Sequence, residues 1–408
     1  MKHSILILII VLSIYIFFSG RLNFIFPTHP ANYFNHLTYS FLQGRFNLIN
    51  TVWTSDLSPF NGKLYMYWGP TPILVIAPFV LLFGINFSDA LYTTIIGSFS
   101  ALFFYLLLNQ LNKLKITNLS TLKKYLLCLF FAFGTVHFYL SVYGSIWFTS
   151  QIISTLYAIF ALYVIFLYLN SKKTLYLLSS SFFLGLAIWG RSSFILYIPL
   201  FTALIFISCQ GLKNSLKIFL IRYSYLFIIL SLFLIVAGIY NFQRFGSFLE
   251  NGYSYHNYGA KFASNKSTHG FLNIAYIPHN FYYMFINTPK VLNKFPFFDF
   301  DREGNSFLTL SPLFFLVFMV INKKYWLNQK LLINLSLIFC VLSIIFFQLL
   351  FWGTGWLQFG YRYSLDIIPL LIILLSQVIS NVSLKILVIL VSISILLNTL
   401  GTLWFLKM

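Results

Sequence analysis

Acid is scarce in this sequence. Only seven of 408 residues are Asp or Glu, against 26 Lys and Arg, and charged residues of all kinds make up 8% of the chain. With 59% hydrophobic residues, that is too little polarity to cover the surface of a soluble domain. Cysteine is also rare. Cys128, Cys209 and Cys340 each sit in or beside an apolar run without C-x-x-C spacing, which argues against a disulfide framework and against thiolate zinc. No H-E-x-x-H, Walker A, G-x-G-x-x-G or G-x-S-x-G pattern occurs, so nothing points to a zincin, a P-loop or dinucleotide site, or a nucleophile elbow. Short alternating segments are missing too, as are internal repeats and any soluble domain.

What the chain has is long apolar runs. At ~20 residues per bilayer crossing, spans are expected at about Ile5–Phe18, Ala90–Leu111, Tyr125–Tyr143, Trp147–Leu169, Leu175–Trp189, Ser193–Ser208, Tyr223–Tyr240, Phe307–Ile321, Leu331–Phe351, Ile367–Ile379 and Leu384–Phe405. The expected fold class is an all-α polytopic membrane protein of about eleven transmembrane helices, forming one integral domain over residues 1–408. The opening run, a lone Lys2 before an apolar stretch ending at Ser19-Gly20, has signal-peptide character but reads as a retained first span. Pro72–Gly84 is too short to cross and is broken by Pro78, so an interfacial or re-entrant helix is expected there.

The net charge of +19 is spread over loops between the runs, which speaks for a membrane pattern and against nucleic acid. Lys113, Lys115, Lys123 and Lys124; Lys172 and Lys173; Lys213, Lys217 and Arg222; and Lys323, Lys324 and Lys330 all fall on one side in this span count. That side is the cytoplasm, with the N-terminus. Asp56, Asp89, Glu250, Asp299, Asp301, Glu303 and Asp366 then all face outward from a cell inner (plasma) membrane. Two large outer loops carry most of the polar inventory, residues 21–88 and 241–306. A short glycine-rich outer turn runs from Trp352 to Asp366.

Asp56, in Trp53-Thr-Ser-Asp-Leu-Ser-Pro, suits either a turn or a general base, and it is the first loop's one acid before Asp89. Arg191 lies between two apolar runs with almost no loop. It either snorkels to the interface or meets a phosphate in a cavity between helices. Arg362 and Asp366 have the spacing of an i,i+4 salt bridge; alternatively Arg362 meets phosphate and Asp366 the hydroxyls of a sugar. Lys63, near Asp56, is either a solvated loop cation or a further phosphate ligand. Tyr361 and Tyr65 join Asp366 as candidate substrate-binding residues. Asp299-Phe-Asp-Arg-Glu303 lacks the EF-hand pattern, and His29, His36, His256, His269 and His279 lack zinc spacing, so no metal ligand and no cofactor is assigned. Asn86-Phe-Ser and Asn265-Lys-Ser are sequons on the outer side.

Four patches, in order along nearly the whole chain, resemble the GT-C superfamily of multi-pass glycosyltransferases, in the bacterial branch related to protein O-mannosyltransferases and lipid A aminoarabinose transferase. They are Leu42-Gln-Gly-Arg-Phe-Asn-Leu with Asn61-Gly-Lys-Leu-Tyr-Met-Tyr-Trp-Gly-Pro-Thr-Pro; Gly185-Leu-Ala-Ile-Trp-Gly-Arg191; Tyr240-Asn-Phe-Gln-Arg-Phe-Gly; and Phe359-Gly-Tyr-Arg-Tyr-Ser-Leu-Asp-Ile-Ile-Pro. The acids that such enzymes carry soon after the first span are replaced here by Pro27-Thr-His-Pro-Ala-Asn. The resemblance implies transfer of a sugar from a polyprenyl-phosphate donor to a lipid, glycan or protein acceptor on the outer face. A phosphate leaving group departs as an anion, so it needs cations and one base, where a glycosidase needs two carboxylates. Asp56 is then the base, and Lys63, Arg191 and Arg362 hold the donor phosphate. A lipid-linked oligosaccharide flippase or transporter, a polysaccharide polymerase or ligase, and an inactive relative are the competing classes.

Overall fold

The computed structural model describes residues 2–49, 51, 53–257, 267–294, 297–321 and 330–407. Lys261, Lys266, the Asn265 sequon, Lys323 and Lys324 lie outside the described residues, as does the side chain of Lys330. The chain is helical, with two small antiparallel strand pairs. Helices α1 (Lys2–Ser19), α4 (Asp89–Lys113), α7 (Ser145–Ser171), α10 (Ser215–Phe245), α11 (Lys330–Leu349) and α13 (Leu384–Leu406) are long and apolar enough to cross a membrane. So is the segment Ser192–Cys209, a 3-10 turn continued by α9 (Ile198–Cys209).

Each of the eleven expected spans (about ~20 residues apiece by bilayer thickness) falls on a helix or a helix pair, but not all are long enough to cross by themselves. Helices α5 (Thr121–Phe133) and α6 (His137–Tyr143) form one span bent by 53°. Helices α8 (Thr174–Gly190) and α12 (Ile368–Ile379) are short, and residues 312–321 wind as a 3-10 helix. By length the described residues therefore hold seven crossing helices, or eight with the bent pair.

These breaks persist because their freed backbone groups find side chains, as an apolar medium requires. At the α5–α6 bend the Gly134 carbonyl accepts from Ser311 Oγ at 2.7 Å, and Thr135 Oγ1 donates to the Phe131 carbonyl at 2.8 Å. Asn398 of α13 donates to the Leu310 carbonyl at 2.9 Å, where the 3-10 stretch begins. The side chains of Ser88, Ser120 and Ser383 cap the starts of α4, α5 and α13.

Helices α4 and α7 run side by side in the same direction. Asp89 holds the Ser145 N–H at one end, and Gln110 donates to the Phe166 carbonyl near the other. The described lysine clusters, those of Lys113 to Lys124, Lys172 and Lys173, and Lys213 to Arg222, gather at that second end. Lys123 Nζ caps the carbonyls of Ile379, Ser380 and Val382 there, and His3 meets Tyr125 close by. The carboxylates sit at the opposite end, around Asp89, the start of α12 and the two large loops.

The first loop is ordered. It contains α2 (Tyr33–Leu42), the hairpin β1 (Ser58–Phe60) and β2 (Lys63–Tyr65), and α3 (Ile73–Phe83), which packs on α2. Leu74, Leu81, Leu82 and Phe83 on α3 are exposed, as suits a helix lying in a membrane interface. The second loop begins only at Gly246, because α10 runs on through Phe245. Its short helix Ile277–Phe281 docks through Asn280, whose amide donates to the carbonyls of Gln348, Leu349 and Phe351 and so caps α11.

Candidate functional site

The centre of the carboxylate-bearing end is Asp366, wholly buried in the 3-10 turn Arg362–Asp366 that leads into α12. Arg191, at the C-terminal end of α8, places Nε 2.7 Å from both carboxylate oxygens. Ser193 Oγ donates to Oδ2 at 2.7 Å, and the amides of Gln151 (α7) and Gln348 (α11) each approach one oxygen at 3.3 Å. The same amides donate to the Arg362 and Tyr363 carbonyls, at 2.7 and 2.8 Å, and Tyr197 OH donates to the Asp366 carbonyl at 2.7 Å. Three separate segments thus converge on one carboxylate.

This corrects one expectation. Arg362 and Asp366 do not pair, because a 3-10 turn has three residues per turn and positions i and i+4 leave its axis in different directions. The Asp366 carboxylate, with room for about four hydrogen bonds, already receives that many from protein groups. Asp366 positions Arg191 and neutralises it.

Arg362 is different. Its side chain is buried, 7% of the residue being exposed, and it lies against the rings of Tyr363 at 5.0 Å and Phe148 at 5.5 Å. Among the described residues its buried Nε has no hydrogen-bond acceptor, and the guanidinium forms no ion pair with a carboxylate. Arg191 faces the same Tyr363 ring at 5.0 Å, so two guanidiniums share one aromatic wall. Tyr361 beside them is buried, and among the described residues its hydroxyl has no hydrogen-bond partner.

The two large loops roof this cluster. Asp56 sits at φ 60°, a left-handed turn position that Asp tolerates. Its backbone N–H donates to the Asn257 carbonyl at 3.0 Å, the Asn257 N–H returns a bond to Leu57, and Ser58 Oγ donates to the Gly252 carbonyl. Its carboxylate, one quarter exposed, lies 3.3 Å from Nε2 of the buried His256. His256 packs on Tyr67 at 4.3 Å between ring centroids, and Tyr67 packs on Tyr253 at 4.6 Å. Burial raises the pKa of both phenols above the ordinary tyrosine value. Asp56, Arg362 and neighbouring tyrosines act electrostatically on both phenols, and Arg191 acts on Tyr253. Asp56, Arg191 and Arg362 therefore all lie in the neighbourhood of Tyr253.

Two glycines let the first loop seat on α8. A Cβ on Gly69 would come within 1.6 Å of the Trp189 carbonyl oxygen. One on Gly190 would meet Ser154 Oγ at 2.4 Å and Thr71 Oγ1 at 2.6 Å. Trp-Gly-Arg and Trp-Gly-Pro-Thr are thus two halves of one contact, and that contact fixes Arg191.

Lys63 and Tyr65 lie elsewhere. Lys63 is exposed beside the hairpin turn, since β1 and β2 pair Phe60 with Lys63, and it bonds to none of Asp56, Arg191 and Arg362. Tyr65 packs on Phe245 at 5.1 Å near Arg244, which stacks on Tyr240 at 3.9 Å and ties α10 to the Met66 carbonyl. Residues not singled out from sequence are Gln151, Gln348, Ser193, Tyr67 and Tyr253, and His256 enters there only among the histidines that lack zinc spacing. The two glutamines carried a signal, being amides inside apolar runs. Among the described residues no group of three His, Cys, Asp or Glu side chains converges.

No protein-family model matches the sequence, and no curated protein matches it in a sequence search. The structure is similar to ArnT from Cupriavidus metallidurans, crystallised with undecaprenyl phosphate bound: TM-score 0.55 at 10% sequence identity, over 93% of this chain. The chain spans about 60% of the length of that ArnT chain. The likeness is one of fold: the chain shares the polytopic helical membrane fold of that ArnT structure.

Proposed function

We propose that the protein transfers a sugar from a polyprenyl-phosphate donor to an acceptor hydroxyl, with inversion, on the membrane face away from the lysine clusters. The observation that carries this reading is Arg362, a buried cation without a counter-anion among the described residues, whose charge acts on the same tyrosines as Asp56. An unpaired buried charge is costly, and a site that keeps one is built for an anion that arrives. A phosphate ester on a lipid carrier fits a site inside a helical membrane bundle, and the similar ArnT structure holds undecaprenyl phosphate.

In this reading Arg362 and the outer nitrogens of Arg191 take the phosphate. The acceptor oxygen bonds to the sugar's anomeric carbon as the carbon–oxygen bond to phosphate breaks. The electron pair of that bond stays on the phosphate, where the two guanidiniums stabilise it. Asp56 accepts the acceptor's proton, with His256 fixing its orientation. Tyr361 offers its unpaired hydroxyl to the phosphate or the sugar.

The test is donor turnover in membranes or nanodiscs, read as release of polyprenyl phosphate. Removing a general base lowers rate by about 10²- to 10⁴-fold, so Asp56→Asn is expected to fall in that range with donor binding retained. An unchanged rate would remove Asp56 from the mechanism.

A further inference from the structure

We infer that the turn Gly353–Gln358 is a gate over Arg362: a strained cover, shut in the ligand-free protein, that is displaced when a lipid phosphate reaches the guanidinium. The inference rests on the donor reading above and adds to it how the cation is covered until the anion arrives.

The turn lies directly on the cation. A Cβ built on Gly355 would come within 2.7 Å of Arg362 Nε, 3.1 Å of Gln358 Oε1 and 3.3 Å of Tyr363 Cζ. Backbone therefore covers the Nε edge of the guanidinium, and Nε itself is buried. A guanidinium holds phosphate by two parallel bonds, either through Nε and one terminal nitrogen or through both terminal nitrogens. The first approach is closed while the turn stays in place. With 7% of the residue exposed, the second has little room.

Both flanks of the turn are fixed to the second loop. Before it, the Trp352 N–H donates to the Phe271 carbonyl at 3.0 Å. At its end, the Gln358 N–H donates to the Arg302 carbonyl at 3.1 Å, and the Phe359 carbonyl accepts from the Asn305 N–H at 2.7 Å. The wholly buried Gln358 side chain is the clasp. Its amide donates to the Glu303 and Thr354 carbonyls at 2.7 and 2.9 Å, and its Oε1 accepts from the Arg362 backbone N–H at 3.1 Å. Thr354 Oγ1 adds a bond to Glu303 Oε1 at 3.2 Å.

What these bonds hold is an unfavourable backbone. Three successive residues have positive φ: Gly355 at 108°, Trp356 at 31° and Leu357 at 56°. Glycine tolerates this, whereas a Cβ disfavours the left-handed region by roughly five- to thirtyfold per residue. Burial does not compensate, since Trp356 is 38% and Leu357 43% exposed. Strain held against a cation that lacks a carboxylate partner is the mark of a segment with a second arrangement. Releasing the turn relieves Trp356 and Leu357 and uncovers Nε in one movement, so opening and phosphate binding favour each other.

The experiment measures binding of undecaprenyl phosphate, the lipid held by the similar ArnT structure, to the full-length protein in zwitterionic nanodiscs. The parent is compared with three variants. Leu357→Ala removes the exposed side chain but keeps the Cβ and its strain. Leu357→Gly removes both, which stabilises the shut turn relative to the open one. Apparent affinity falls with the open fraction, so the Gly variant is expected to bind about threefold to tenfold more weakly than the Ala variant. Thr354→Val breaks one bond of the clasp and is expected to bind about twofold to fivefold more tightly than the parent. A turn that keeps one conformation with and without ligand is equally strained in both. Equal affinities of the Gly and Ala variants therefore overturn the gate, as does a Thr354→Val protein that binds no tighter than the parent, and either result leaves the donor reading intact. Absence of saturable binding by the parent itself removes the donor reading and the gate with it.

Discussion

Arg191 Nε contacts both oxygens of Asp366, 175 positions further along the chain, at 2.7 Å, and the carboxylate has no exposed surface. Breaking such a pair from one side leaves a buried charge alone, at a cost of about 3–5 kcal/mol, whereas replacing both partners by apolar groups is close to neutral. Asp366→Ala is therefore expected to lower thermal stability in detergent by that order. The double variant Arg191→Met with Asp366→Leu should recover most of the loss without recovering donor turnover. Equal destabilisation by the single and double variants would mean that the pair contributes through packing alone.

The helices were legible because apolar runs report burial in a bilayer directly, and every expected span lands on a helical segment. Their lengths were less legible. The bend at Gly134 and the 3-10 stretch after Pro312 depend on Ser311 and Asn398, which reach them from far along the chain. The site divides the same way. Asp56, Arg191 and Arg362 stood out as rare charges in apolar surroundings, and the fold brings them to one place. The Arg362–Asp366 pairing failed because local spacing was read with a 3.6-residue period in a segment that winds with three. Asp366 takes its partners from α7, α8, α11 and the turn after α8, a convergence that no window of sequence contains. Proximity along the chain links Lys63 to Asp56, whereas in the hairpin Lys63 is exposed and bonds to none of Asp56, Arg191 and Arg362.

The seam between the first loop and α8 leaves no room for a methyl group. At Gly69 an added Cβ meets backbone at 1.6 Å, and at Gly190 it meets two hydroxyl oxygens that can rotate away. Gly69→Ala is accordingly expected to cost more stability than Gly190→Ala, with overpacking effects of about 1–3 kcal/mol each. Both should reduce donor turnover, because Arg191 directly follows the displaced residue. Melting curves and turnover of the two variants check the ranking. A Gly69→Ala protein with unaltered stability would contradict the seam.

His36 gives the loops a pH dependence. Burial in α2 lowers its pKa below the ordinary histidine value, partly offset by the bond of Nδ1 to the Ile49 carbonyl at 3.1 Å. The unfolded chain, with a pKa of about 6.5, therefore takes up a proton before the folded chain does. The stability linked to this group is present above that pH and declines as pH falls through it. Melting temperature, or hydrogen exchange over Tyr33–Leu42, should drop between about pH 7 and pH 5, and His36→Gln should flatten the dependence. A loss of protection on raising pH instead would reverse the assignment.

Arg362 should show the opposite balance from Arg191. It is buried without an acceptor among the described residues, and two ring faces offset only part of the cost of its charge. Removing that charge while keeping the volume relieves the ligand-free protein, so Arg362→Met is expected to raise its stability by about 1–3 kcal/mol. The same change deletes the cation that meets the donor phosphate, and affinity for polyprenyl phosphate should fall by about tenfold or more, roughly 1.4 kcal/mol. Added polyprenyl phosphate should therefore raise the melting temperature of the parent protein and leave that of the variant nearly unmoved. A variant that melts lower than the parent, yet gains as much from the lipid phosphate, would show that Arg362 is an ordinary structural residue and that the anion binds elsewhere.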